Sequence, residues 1–175
     1  MFSQFSLWGL SILWRLLIAS SISLQAFTQS TFREDVQVAS ISVMSGWAAY
    51  ITNLLASSSG IRRAAIVGYP DGSVWARSEG DNEFKATDAE LKKFVGLFGN
   101  ISEVPSTGCD LEGIHYIVPR TEENLIFGKR DKTGLFAAKT KSAVLIACFE
   151  GENAAGAEAR VAVEKLAQYL CDSGY

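Results

Sequence analysis

The chain has 175 residues, enough for one domain or for one domain with an extension. Hydrophobic residues make up 48%, which excludes wholesale disorder. A net charge of −3 and a pI near 5.2 argue against a general nucleic-acid binder, which carries a basic excess.

Residues 1–43 stand apart from the rest. Their only charges are Arg15, Arg33, Glu34 and Asp35, and Leu7 to Leu24 is mostly apolar. Three readings fit. A signal peptide or signal anchor has the apolar run but lacks a basic flank before it and a clear small-x-small cleavage site after it. A transmembrane helix has just enough length but carries Arg15 near its middle. An extension upstream of a second start at Met44 makes Met44-Ser45-Gly46-Trp47 the opening of the globular domain. Under a secreted or membrane-anchored reading, Asn100-Ile101-Ser102 is a glycosylation sequon.

Residues 44–175 read as one α+β domain. Trp47, Tyr50, Ile51, Leu54 and Leu55 recur at helical spacing, and Ser57-Ser58-Ser59-Gly60 ends that helix. Arg62 to Gly68 is β-like, Tyr69-Pro70-Asp71-Gly72 is a turn, and Ser73 to Arg77 is a second strand. Thr87 with Glu90 three residues on predicts a capped helix that buries Leu91, Phe94, Val95 and Phe98 and stops at Gly99. Four strands follow: Gly113–Val118, Asn124–Lys129, Leu135–Thr140 and Ser142–Glu150, with Asp131-Lys132-Thr133-Gly134 as a hairpin turn. A last helix is expected from Ala157 to Asp172, with Ala159, Val163, Leu166 and Leu170 inward. This order implies an antiparallel sheet covered by helices.

The residues give little support to an enzymatic reading. His115 is the only histidine and sits in an alternating strand pattern, so it reads as a surface side chain. No metal-ligand spacing, nucleophile elbow or phosphate-binding glycine loop occurs. Cys109, Cys148 and Cys171 form no close pair and read as reduced thiols, with Cys148 a buried hydrophobe. The aromatic residues admit two readings. They are core side chains, or they form one flat platform. Trp47 and Tyr50 are i, i+3 on the first helix, Trp75 lies on a strand, and Tyr169 and Tyr175 close the chain. Such a platform suits a polyproline II peptide, whose exposed ring faces and free carbonyls meet flat apolar surfaces edged by indole N–H and phenol O–H donors.

Residues 44–175 resemble profilin over their full length. The resemblance rests on Ser45-Gly46-Trp47-Ala48-Ala49-Tyr50-Ile51, Asp71-Gly72-Ser73-Val74-Trp75-Ala76, Gly113-Ile114-His115-Tyr116-Ile117-Val118, Phe127-Gly128-Lys129-Arg130 and Val163-Glu164-Lys165-Leu166-Ala167-Gln168-Tyr169-Leu170, in that order. Residues 1–43 have no counterpart in the family pattern. The resemblance implies a central antiparallel sheet, with the first and last helices on one face and shorter helices on the other. It implies a non-enzymatic cytoplasmic, cytoskeletal protein with no cofactor that binds monomeric actin, promotes its nucleotide exchange and regulates polymerisation. It also implies binding of proline-rich peptides and of phosphoinositide headgroups. For the peptide it points to Trp47, Tyr50, Trp75, Tyr169 and Tyr175, with Gly46 letting the helix start approach its neighbour. For actin it points to Lys129, Arg130, Lys139, Glu158, Arg160, Glu164 and Lys165. A basic cluster of Lys129, Arg130, Lys132, Lys139 and Lys141 serves the phosphoinositide reading. The loop Gly151–Gly156 does not align cleanly with the family pattern, so the resemblance assigns no individual actin contact there. The alternative is a scaffold module of similar topology that binds a small GTPase or partner subunit and needs no exposed tryptophan cluster.

Overall fold

The computed structural model describes residues 46–175 apart from 152; the apolar extension 1–43 and the Met44 boundary lie outside the described residues. The first helix, α1, spans 46–56. Seven strands follow, interrupted by two α-helices and by two 3-10 turns at Gly80–Asn82 and Leu97–Gly99: β1 Ile61–Gly68, β2 Val74–Arg77, α2 Asp88–Gly96, α3 Val104–Thr107, β3 Cys109–Leu111, β4 Ile114–Glu122, β5 Leu125–Arg130, β6 Thr133–Lys139 and β7 Ala143–Glu150. The last helix, α4, spans Asn153–Asp172. The strands form a single antiparallel sheet in the order β2-β1-β7-β6-β5-β4-β3.

Both faces of this sheet are covered, which explains its near-continuous apolar runs. In β7, Ala143 to Phe149 are all buried. One face packs Trp47, Ile51 and Leu54 of α1 and Ala159, Val163 and Leu170 of α4 against Ile66, Ala138, Leu145 and Ala147. The other packs Leu91, Phe94 and Val95 of α2 and Val104 of α3 against Ala65, Val67, Ala137 and Ile146. The expected arrangement of the helices is therefore observed. So is the capping box: the Glu90 amide donates to Thr87 Oγ1 at 3.3 Å, and Glu90 Oε2 accepts from the Thr87 amide at 2.9 Å.

Three features differ from the sequence reading. The last helix begins at Asn153, four residues before Ala157. Glycine disfavours a helix interior, but a Cβ at Gly156 would come within 3.2 Å of the Phe149 ring, so here glycine allows the first turn to lie on β7. The sequence reading also missed α3 and the edge strand β3. A hairpin joins β3 to β4 through Glu112 and Gly113, with φ of 55° and 70°, and a non-glycine residue at the first turn position hid it. Finally, β4 continues to Glu122 past Pro119, with the register shifting between Ile117 and Arg120, because proline cannot donate to the ladder.

Candidate functional site: an aromatic platform and a charged sheet face

The five aromatic residues come together. The Trp47 ring lies 4.9 Å from Trp75, 5.0 Å from Tyr175 and 5.6 Å from Tyr50, and Tyr50 lies 6.0 Å from Tyr169. Helical spacing puts Trp47 and Tyr50 on one face of α1. Strand β2 brings Trp75 alongside, and the C-terminal turn folds Tyr175 back so that its amide donates to the Leu170 carbonyl at 2.9 Å. The rings differ in role. Trp47 is only 9% exposed and forms the floor, whereas Tyr169 and Tyr175 are 54% and 45% exposed and form the open edge. The Tyr50 phenol is raised above its ordinary value, first by the hydrogen bond it shares with Tyr169 and then by burial. It therefore stays protonated as a donor at neutral pH. Gly46 has no role in close approach: a Cβ there meets nothing within 4 Å among the described residues.

The set predicted for actin divides. Strand alternation sends Lys129 to the face of Phe127, against α4, and Arg130 to the opposite face. On α4, Arg160 and Glu164 turn toward β4: Arg160 donates from Nε to Glu164 at 2.9 Å and from a terminal nitrogen to Glu122 at 3.0 Å. Arg120 also pairs with Glu122. Partial desolvation raises the Glu122 carboxyl, but the Arg160 hydrogen bond and the two guanidinium charges outweigh it and hold the pKa below the ordinary range. Glu158 and Lys165 lie on the other flank of α4, along the seam with α1.

The predicted basic cluster is not one cluster. Arg130 and Lys132 sit at the β5–β6 turn with Lys129 close by. Lys139 lies at the far end of β6, about 20 Å away at about 3.3 Å per residue, with its ammonium 4.1 Å from the Tyr69 ring centre. Lys141 is at that same end and donates to the Cys171 carbonyl at 3.2 Å. Their proximity in sequence spans a whole strand, and a strand separates what a helix would gather.

Several surface residues were not singled out from the sequence. Ile117, opposite Lys129 across β4–β5, is 68% exposed. Beside Lys129, a cavity of about 350 Å³ opens onto Phe127, Phe136 and Phe149, whose rings stack 4.7 Å and 5.6 Å apart. Glu122 and Arg120 complete the charged network. The one available signal was Pro119 within a strand pattern, which marks a bulge.

Burial pushes the Cys109 and Cys148 thiols up to about 12, so neither supplies a thiolate. His115 is exposed, with Nδ1 2.6 Å from Asp110, as expected of a surface side chain. No group of metal-ligating side chains occurs among the described residues. No helix among the described residues is long and apolar enough to cross a membrane.

Comparison with known proteins gives a consistent result. The Profilin family model matches residues 45–175. Profilin-1 of Caenorhabditis elegans is 59% identical over 132 residues, covering 75% of this chain and 100% of that protein. Profilin-2 of the same organism is 60% identical over the same length and coverage. A crystal structure of Schizosaccharomyces pombe profilin superposes with a TM-score of 0.66 at 34% identity, covering 74% of this chain and 99% of that one. The chain belongs to the profilin family of actin-monomer-binding regulators.

Proposed function

We propose that the chain binds proline-rich peptides on the platform of Trp47, Tyr50, Trp75, Tyr169 and Tyr175. We further propose that it binds monomeric actin on the face formed by β4–β6 and α4. One observation carries the first part: five rings converge on one surface, two of them about half exposed, with phenol donors at the edge. A polyproline II segment offers the matching flat rings and free carbonyls. For actin, the support is an exposed aliphatic at Ile117 and a cation at Lys129, beside the braced ion network of Arg160, Glu164 and Glu122. A mixed surface of this kind is typical of a protein interface. Phosphoinositide headgroups are a further ligand for Lys129, Arg130 and Lys132 at the hairpin, without Lys139 and Lys141. The site of action is the cytoskeleton, and the chain contributes no catalytic step.

The test has two parts. Octaproline should quench tryptophan fluorescence, and the protein should shift the critical concentration of actin assembly. Absence of either effect removes the corresponding face. Residues 44–175 are proposed to carry both activities alone, because the family match covers 45–175. If deleting 1–43 lowers the unfolding midpoint by several degrees, that boundary is wrong.

A further inference from the structure

A groove leaves the platform along the seam between α1 and α4. Its cavity of about 840 Å³ is lined by Tyr50 and Leu54 of α1 and by Val161, Lys165, Leu166 and Tyr169 of α4. Tyr50 and Tyr169 belong to both surfaces, so platform and groove form one concavity. The platform alone is short. Its rings from Trp75 through Trp47 and Tyr50 to Tyr169 step by 4.9, 5.6 and 6.0 Å. About five residues of polyproline II at about 3.1 Å each cover that span. From Tyr169 back to Ala157 the groove follows α4 for about 18 Å at about 1.5 Å per residue, room for about five more extended residues at about 3.3 Å each.

The chemistry changes along this path. Aromatic rings give way to an aliphatic floor: Leu54 is buried, Leu166 is half-buried, and Val161 is 48% exposed. The rim carries one available cation. Lys165 is exposed and makes no ion pair among the described residues, whereas Glu158 accepts a hydrogen bond from Ser58 at 2.9 Å.

We infer that this groove holds the flank of the proline-rich ligand. The flank is a non-proline segment that presents an aliphatic side chain to Leu54 and Leu166 and a carboxylate to Lys165. The inference rests on the platform reading above. Continuity identifies the occupant, because a chain lying on Tyr50 and Tyr169 delivers its next residues into the groove as a tethered group at high effective concentration. The proline run then supplies the common affinity, and the flank selects among proline-rich partners.

The experiment uses the full chain and three probes: octaproline, and octaproline extended by Leu-Ala-Glu at its N-terminus or at its C-terminus. One extended probe should bind about tenfold tighter than octaproline, from one aliphatic contact and one exposed ion pair. Lys165→Glu should remove much of that gain, and a Leu-Ala-Lys extension should restore it. Val161→Asp, which places a carboxylate beside the apolar floor, should also reduce the gain. Each readout is a ratio of two affinities in the same variant, so a folding defect that weakens all probes cancels. Equal affinity for the three probes overturns the inference, as does a gain insensitive to Lys165→Glu. If octaproline itself does not bind, the platform reading falls. If octaproline binds without any gain from an extension, only the groove assignment falls.

Discussion

Tyr169→Ala is the sharpest test of the platform, and Trp47→Ala is the control that shows why. Trp47 is 9% exposed and held by three rings within 5.6 Å, so truncating it removes core as well as contact surface. A buried tryptophan covers about 150–250 Å² and its loss costs about 3–5 kcal/mol. For a domain of this size that lowers the unfolding midpoint by at least about 10 °C. Tyr169 is 54% exposed, so less than half of its area is buried against the protein. Its truncation should cost about 1–2 kcal/mol of stability. It should nevertheless remove a rim anchor of the peptide site worth about 2 kcal/mol, a fall in octaproline affinity of about 30-fold. Tyr169→Phe, which keeps the ring face and loses only the hydroxyl, should fall in between. The assay is octaproline titration by tryptophan fluorescence, paired with thermal unfolding and with actin binding, which Tyr169→Ala should leave nearly intact. Unchanged octaproline affinity in Tyr169→Ala would refute the platform. Equal unfolding midpoints for the two alanine variants would refute the division into floor and edge.

Charge reversal at Lys129, exposed beside Ile117 and the phenylalanine stack, should slow association with actin monomers, and the effect should shrink in high salt. Stopped-flow binding at two ionic strengths checks this, and an identical on-rate removes Lys129 from the interface. Gly134→Ala should destabilise by about 1–3 kcal/mol, because its Cβ would sit 2.4 Å from the Phe149 ring. An unfolding midpoint equal to that of the parent protein would contradict this. The Glu90 carboxyl is held below its ordinary range by the Thr87 amide first and the Gly113 amide second. Its contribution is therefore present above about pH 4.3, the unfolded carboxylate value, and is lost as pH falls through the depressed folded value. Glu90→Gln should cost about 1 kcal/mol near neutrality, and the loss should shrink in acid. A destabilisation that is constant down to low pH sinks this assignment.

The sequence alone determined most of the fold. The i, i+3, i+4 spacing of Trp47, Tyr50, Ile51 and Leu54 specified a one-faced helix, and Thr87 with Glu90 specified a capped start. The apolar run of β7 required cover on both faces of the sheet. These are local signals, set by periodicity and side-chain chemistry. The candidate site was legible as residue types and less so as an arrangement. Trp47 is floor and Tyr169 is edge because α1 and α4 pack on the same sheet face, and no local pattern states how deep a ring will sit. Strand geometry alone keeps Lys139 and Lys132 at opposite ends of β6 and turns Lys129 and Arg130 to opposite faces of β5, so the basic set was already divided by the predicted strands and turn. Only tertiary structure paired Arg160 with Glu122, residues 38 apart in the chain, and opened the seam between α1 and α4. Helix and strand form by short-range rules. Surface complementarity is made by contacts between distant segments, and it exists only once the sheet has brought them together.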